Sequence, residues 1–238
     1  MILTDDSATR IALLDWGVLL AALDRDGFAT TGPVIDRATC QGLAALYDGG
    51  GFRSRIVMAR HNFGSGEYKY FDDPLPMAVQ ALRTAFYPAL AGLANSWAER
   101  LGQEKRYPSQ LEDYLGQCQR AGQARPTPLL LRYGPGDYNC LHQDLYGDEV
   151  FPLQVAILLS APGQDFEGGE FVLVEQRPRA QSKASVVPLV QGEAVIFAVR
   201  ERPVRGSRGN YRTMLRHGVS TIRSGHRTTL GLIFHDAA

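Results

Sequence analysis

The sequence predicts an α+β fold, with helices first and an antiparallel sandwich or jelly roll after them. Three observations carry this. Apolar residues recur at helical spacing through most of the first 120 positions, short β-type runs separated by Gly, Pro and Asp take over after Pro126, and strands do not alternate with helices as a parallel sheet requires. At 238 residues, 45% of them hydrophobic, the chain can bury one substantial core. A single domain over 1–238 is therefore expected, with 1–125 as mainly helical support and 126–238 as the β core.

Taken in order, Ile11 to Leu23 has helical periodicity, Asp36 is placed to cap a second helix running through Tyr47, and Pro76 to Leu101 is long, alanine-rich and amphipathic. Between the last two lie Gly49-Gly50-Gly51 and then Phe52 to Phe71, where glycines mix with Arg53, Arg55, Arg60, His61, Tyr68 and Tyr70. Short strands and mobile loops are expected there, and a substrate lid over 49–73. The β runs follow at Leu129 to Tyr133, Phe151 to Leu159, Glu170 to Val174, Ser185 to Val187, Ala194 to Val199, Met214 to Thr221 and Thr228 to Phe234.

Composition excludes several classes. No apolar run is long enough for a membrane span or a secretory signal, since Ile11 to Leu23 already contains Asp15 and Gly17. Cys40, Cys118 and Cys140 are widely spaced and form no C-x-x-C pair, so no disulfide framework or zinc knuckle is indicated and a reducing cytoplasm is expected. With 25 basic and 25 acidic residues, whole-molecule attraction to nucleic acid is not available. Charge is unevenly spread, however: residues 176–227 hold eleven Lys or Arg against Glu193 and Glu201. This segment either builds a basic face or scatters arginines over a solvated β surface. Gly134-Pro135-Gly136 lacks the following Lys and Ser or Thr of a phosphate loop and reads as a turn, and Ser54, Ser65 and Ser207 have no nucleophile-elbow context.

The chemistry-bearing pattern is His142-Gln143-Asp144. On an extended segment, residues two apart share a side, so the imidazole and the carboxylate converge. His217, near a later strand, is the candidate third ligand. Two histidines and one carboxylate on one face of an octahedron leave three positions open, which suits non-haem Fe(II). H-x-D alone is weak, but Arg227 lies ten residues past His217 on an otherwise apolar strand. An arginine buried there needs a carboxylate or phosphate in its guanidinium fork, and Thr229, on the same side, can add a hydroxyl. Of the other histidines, His226 should face away from Arg227, His235 should end the last strand exposed, and His61 lies in the expected lid.

These residues resemble the 2-oxoglutarate- and Fe(II)-dependent dioxygenase superfamily: H-x-D, a distal His, then Arg about ten residues on. Leu131-Arg132-Tyr133-Gly134, Glu167-Gly168-Gly169-Glu170-Phe171 and Gln191-Gly192-Glu193-Ala194-Val195-Ile196-Phe197 are similar to the landmarks of its prolyl-hydroxylase-like members. The resemblance implies a double-stranded β-helix (jelly roll) core. It also implies iron on His142, Asp144 and His217, 2-oxoglutarate on Arg227 with Tyr133 as a further contact, and O2 as oxidant with ascorbate in support. The reaction implied is hydroxylation, or oxidative demethylation, with release of succinate and CO2.

Fold and iron site do not choose the substrate. The stretch Arg53 to Phe71 is similar to a bacterial branch inferred to act on alkylated nucleic acid, which needs cations for phosphates and aromatic faces for a base. Arg53, Arg55, Arg60, His61, Tyr68 and Tyr70 are the candidate substrate contacts. A protein side chain, as in prolyl hydroxylases, and a small molecule are the competing substrates, and a non-catalytic jelly-roll binding protein is the alternative from another class. Oligomeric state is not readable from the sequence.

Overall fold

A computed structural model describes residues 6–238. Among them, five α-helices are formed: α1 (Asp6–Ala12), α2 (Trp16–Asp26), α3 (Arg37–Ala45), α4 (Met77–Arg100) and α5 (Leu111–Arg120). β1 (Phe28–Pro33) was not expected from the sequence, whereas β2 (Phe52–Val57), β3 (Gly64–Ser65) and β4 (Glu67–Phe71) fall where short strands were expected. Then come β5 (Leu129–Tyr133), β6 (Tyr138–His142), β7 (Leu153–Leu158), β8 (Phe166–Gly168), β9 (Phe171–Gln176) and β10 (Lys183–Val187). The chain finishes with β11 (Glu193–Ala198), β12 (Glu201–Gly206), β13 (Gly209–Val219), β14 (Ile222–Gly225) and β15 (Arg227–Leu232).

Two antiparallel sheets face each other. The major sheet runs β1-β11-β7-β15-β5-β4-β2, and the minor sheet runs β10-β9-β13-β6-β3 with β12 paired to β13. Period-two alternation sorts the side chains of each central strand. Ala194 and Ile196 of β11, Leu153, Val155 and Ile157 of β7 and Leu230 and Leu232 of β15 pack outward against Leu82, Phe86, Leu90 and Trp97 of α4. Burying each such Leu, Ile or Phe contributes roughly 1.5–3 kcal/mol of transfer free energy. Val195, Phe197 and Ala156 point the other way, toward Phe171 and Leu173 of the minor sheet. Helices thus seal one face of the major sheet and leave the inter-sheet space for the site.

Several local expectations need correction. The run Ile11 to Leu23 is two helices, because the Asp15 carboxylate accepts from the Val18 amide at 3.1 Å and starts a new one. Asp36 does cap α3, accepting from the Thr39 amide at 2.8 Å, and α4 matches the expected long helix. Residues 49–73 contain the expected short strands, and these are built into the two sheets. β2 and β4 extend the major sheet, with β4 paired to β5, and the connection between them crosses to the minor sheet through the β3–β6 pairing. Strand pairing between distant segments, invisible to local periodicity, turned this segment into wall.

His235 is fully buried, not exposed. β15 ends at Leu232, and the chain beyond it is tied down from α4: Arg83 donates to the Ile233 carbonyl at 2.9 Å, to the Phe234 carbonyl at 3.0 Å and to Asp236 at 2.8 Å. No helix among the described residues is long and apolar enough to cross a membrane.

Candidate active site and metal centre

The register of two minor-sheet strands brings the distant histidines together. His142 on β6 stands opposite His217 on β13, and their rings lie 4.2 Å apart. Asp144 follows two residues beyond His142, just past the end of β6, so its carboxylate turns to the same side. Its Oδ2 is 3.4 Å from His217 Nε2, and its Oδ1 is 3.6 Å from His142 Nε2. The three ligand atoms lie within 4.8 Å of one another, close enough to share one ion.

Protonation fits ligation. His142 Nδ1 donates to the Cys140 carbonyl at 2.8 Å, which turns Nε2 toward Asp144 and the shared site. Burial and the neighbouring His142 lower the pKa of His217, against the raising influence of Asp144, and favour the neutral imidazole. Burial alone would raise the Asp144 pKa. The hydrogen bonds with His217 and Tyr146 and the contact with the His142 ring outweigh it and hold the carboxyl well below the usual carboxylate range.

Asp144 is also held from behind. The Tyr146 hydroxyl donates to Asp144 Oδ1 at 2.7 Å, and the Tyr70 hydroxyl donates to Tyr146 at 2.8 Å. Arg53 lies over the Tyr70 ring at 4.5 Å, while its Nε donates to the Pro126 carbonyl at 2.9 Å. Outer partners of this kind fix the orientation of a ligating carboxylate. Tyr146 was missed from sequence although it continues the period-two series 142, 144, 146.

At the other end of the same cavity stands Arg227, the first residue of β15 and 2% exposed. Its Nη1 donates to Thr229 Oγ1 at 2.6 Å, its Nε has no hydrogen-bond partner, and no carboxylate among the described residues forms an ion pair with it. Burial brings its pKa down to about 10, against the raising influence of Tyr133 and Glu170, so it stays cationic at neutral pH. Tyr133, its antiparallel neighbour on β5, places its ring 5.8 Å from the guanidinium and accepts from Asn139 at 3.3 Å. Gly169 sits at φ +62°, and a Cβ there would come within 3.0 Å of the Arg227 Cδ and 2.2 Å of Ile222. Glycine lets this turn lie flat against the arginine stem.

Between the two ends is a cavity of about 300 Å³, at the small end of ligand pockets. Its walls include Tyr133, Asn139, Gln154, Thr229 and the metal triad, and Phe63, Tyr68 and Leu145 also line it. An unpaired buried cation and three convergent ligand side chains in one cavity suit a chelating dicarboxylate, with one end on the ion and the other on Arg227.

Of the six candidate substrate contacts, only Tyr68 lines this cavity. Tyr70 is buried and reaches the site through Tyr146, and Arg53 supports Tyr70. Arg55 forms an ion pair with Glu67. Arg60 and His61 are exposed, and His61 stacks on Phe63 with ring centroids 5.4 Å apart. The basic segment 176–227 is also divided: Arg202 is buried on Glu175, while Arg177, Arg212 and Arg223 pair with Glu175, Glu201 and Glu170. Arg179, Lys183, Arg200, Arg205, Arg208 and Arg216 remain exposed. His226 is exposed, turned away from Arg227 as the alternation expected.

Comparison with known proteins agrees with this geometry. Residues 66–237 match the Oxygenase-NA family, described as "Oxygenase, catalysing oxidative methylation of damaged DNA". Two Mycobacterium tuberculosis proteins, the uncharacterized proteins MT2286 (strain CDC 1551 / Oshkosh) and Rv2227 (strain ATCC 25618 / H37Rv), are each 54% identical over 168 residues, 71% of this chain and 72% of theirs. The fold is similar to that of a 2OG-Fe(II) oxygenase family oxidoreductase from Burkholderia pseudomallei, at TM-score 0.56 and 16% identity over 94% of this chain and 93% of that one. It is also similar to a Pseudomonas putida prolyl-4-hydroxylase, at TM-score 0.53 and 17% identity over 94% of this chain and all of that one. With the family match spanning most of the chain and the His142, Asp144 and His217 cluster inside it, the protein belongs to the Oxygenase-NA family, oxygenases on the 2-oxoglutarate–Fe(II) oxygenase fold.

Proposed function

We propose that this oxygenase uses Fe(II) and 2-oxoglutarate to oxidise alkylated bases in nucleic acid. The observation that carries the co-substrate is Arg227, a buried guanidinium with an unpartnered Nε in the same cavity as the His142, Asp144 and His217 cluster. Those three residues would hold the ion, and Arg227 with Thr229 would take the far carboxylate of 2-oxoglutarate beside Tyr133. When bound, iron and co-substrate supply O2-dependent oxidation of a C–H bond, with 2-oxoglutarate converted to succinate and CO2. The chain's own part is to fix the two ligand sets apart, exclude water with the apolar walls, and hold the substrate carbon near the metal. A methyl group on a base nitrogen, once hydroxylated, leaves as formaldehyde.

The nucleic-acid substrate is supported by the description of the matched family and by the exposed arginines and lysine of 179–216. Succinate formation with Fe(II), 2-oxoglutarate and ascorbate under air tests the reading, for wild type, His142→Ala and Arg227→Ala, with methylated oligonucleotide or a proline-rich peptide. Turnover stimulated by the oligonucleotide and lost in both variants is expected. Stimulation by the peptide alone would replace the nucleic acid with a protein side chain, and no turnover with any addition would leave a binding protein.

A further inference from the structure

One polar side chain in the cavity wall has no task in the scheme above. Gln154 on β7 is 5% exposed and lines the cavity, and its Oε1 is buried without a hydrogen-bond partner. Its Nε2 also has no protein partner among the described residues. The equally buried Gln123 and the half-buried Asn95, Gln143 and Gln191 are all engaged. Asn95 donates to the Tyr107 carbonyl at 2.8 Å, Gln123 to the Asp236 carbonyl at 2.6 Å, Gln143 to the Leu215 carbonyl at 2.6 Å and Gln191 to the Leu159 carbonyl at 2.8 Å. A buried amide oxygen left unsatisfied is costly to fold around, and with Nε2 unpaired beside it the side chain points to a ligand that completes it.

The register says which ligand. Gln154 stands opposite Phe197 of β11, and Phe197 packs on the His217 ring at 4.6 Å, so the amide sits at the metal end. The Arg227 end lies at the level of Leu158, which stands opposite Thr229, four residues and about 13 Å farther along β7. Gln154 is thus too far along the strand to serve the carboxylate held by Arg227. It lines the cavity at the metal end, where the group to be oxidised must also lie. A primary amide offers a donor and an acceptor side by side in one plane, and base edges offer the complement. The cavity is small, and its walls include the aromatic rings of Phe63, 47% exposed, and Tyr68, which suit a flat ring rather than a bulky side chain.

We infer that Gln154 is a specificity-determining residue that pairs through its amide with the donor–acceptor edge of a single base extruded into the cavity. This rests on the nucleic-acid reading above. The test uses full-length protein loaded with Mn(II) and 2-oxoglutarate without oxygen, comparing wild type, Gln154→Leu and Gln154→Glu. Anisotropy measures binding of single-stranded oligonucleotides carrying cationic N1-methyladenine, neutral N6-methyladenine or no lesion, calorimetry measures Mn(II) and 2-oxoglutarate affinity, and thermal melts check folding.

Gln154→Leu should weaken lesion binding by about 10- to 100-fold while Mn(II) and 2-oxoglutarate bind as in wild type, and in the aerobic Fe(II) succinate assay it should raise KM with little change in kcat. Gln154→Glu should shift preference toward the cationic lesion, a change that a scaffold residue would not produce. Wild-type lesion binding in both variants overturns the inference, as does loss of metal and co-substrate binding together with lesion binding. If wild-type protein itself binds no oligonucleotide but hydroxylates a peptide, the nucleic-acid reading fails and the base-reading role fails with it. If wild type binds the lesion and Gln154→Leu does too, only the role of Gln154 fails.

Discussion

The two ends of the cavity settle their charges differently. At the metal end, Asp144 meets two imidazoles and a phenol donor, which is itself bonded to Tyr70, so its orientation is fixed by the chain. At the far end, Arg227 meets one hydroxyl and two aromatic faces, Tyr133 at 5.8 Å and Phe166 at 5.9 Å, and no carboxylate pairs with it among the described residues. One end is organised in advance; the other stores a cation whose partner must arrive with a ligand. An enzyme that must retain its ion between turnovers but exchange its co-substrate at every turnover needs that asymmetry.

The largest effect is expected from breaking the organised end. Asp144→Asn should abolish tight Mn(II) binding in calorimetry, and wild-type affinity in that variant would remove Asp144 from the ligand set. Next comes Arg227→Met, which should weaken 2-oxoglutarate binding by about 100-fold, the loss of a charge-assisted pair worth roughly 3 kcal/mol. Because it also removes a buried uncompensated cation, the ligand-free protein should melt no lower than wild type, and the melting shift caused by 2-oxoglutarate should vanish. A clear drop in ligand-free melting temperature would mean that Arg227 is structural.

Smaller effects sharpen the comparison. Tyr146→Phe leaves the ring and deletes the donor to Asp144, so Mn(II) affinity should fall by about 10- to 100-fold with 2-oxoglutarate affinity at fixed metal saturation unchanged. Tyr70→Phe, one bond farther out, should cost less; an equal cost would mean the two phenols act as one unit. The smallest effect is on pH-dependent stability. Burial lowers His235 from its ordinary value near 6.5 to about 4, and its Nδ1 accepts from the Phe151 amide at 3.3 Å. The folded state therefore favours the neutral ring. Its contribution, at most about 3 kcal/mol, is fully present above pH 6.5 and lost as pH falls toward 4. Wild type should lose melting temperature over that window more steeply than His235→Gln, and parallel profiles would contradict it.

How much was legible depends on how local the signal was. Period two at His142 and Asp144, and at Arg227 and Thr229, was enough to put each pair on one side of the backbone, and both pairs line the cavity. The same periodicity carried Tyr146, and the one polar residue inside the apolar run Phe151 to Leu159 was Gln154, yet neither stands out without knowing which face lines a cavity. Short strands were legible in Phe52 to Phe71, but not that β2 and β4 join the major sheet, since a strand rich in Arg and Tyr carries no sign of its partner. His235 was misjudged because its burial depends on Arg83, 152 residues earlier in the chain, clamping the backbone around it.

The sequence by itself therefore determined the α+β class, the ligand types and their pairing along each strand, because side-chain direction along a strand follows from backbone geometry alone. Tertiary structure decided that His142 and His217 stand across from each other, that Tyr70 and Tyr146 brace the carboxylate, and that Gln154 faces the metal end without a partner. Those outcomes depend on strand register and sheet neighbours, which are set by the fit of the whole core and have no counterpart in any short stretch of chain.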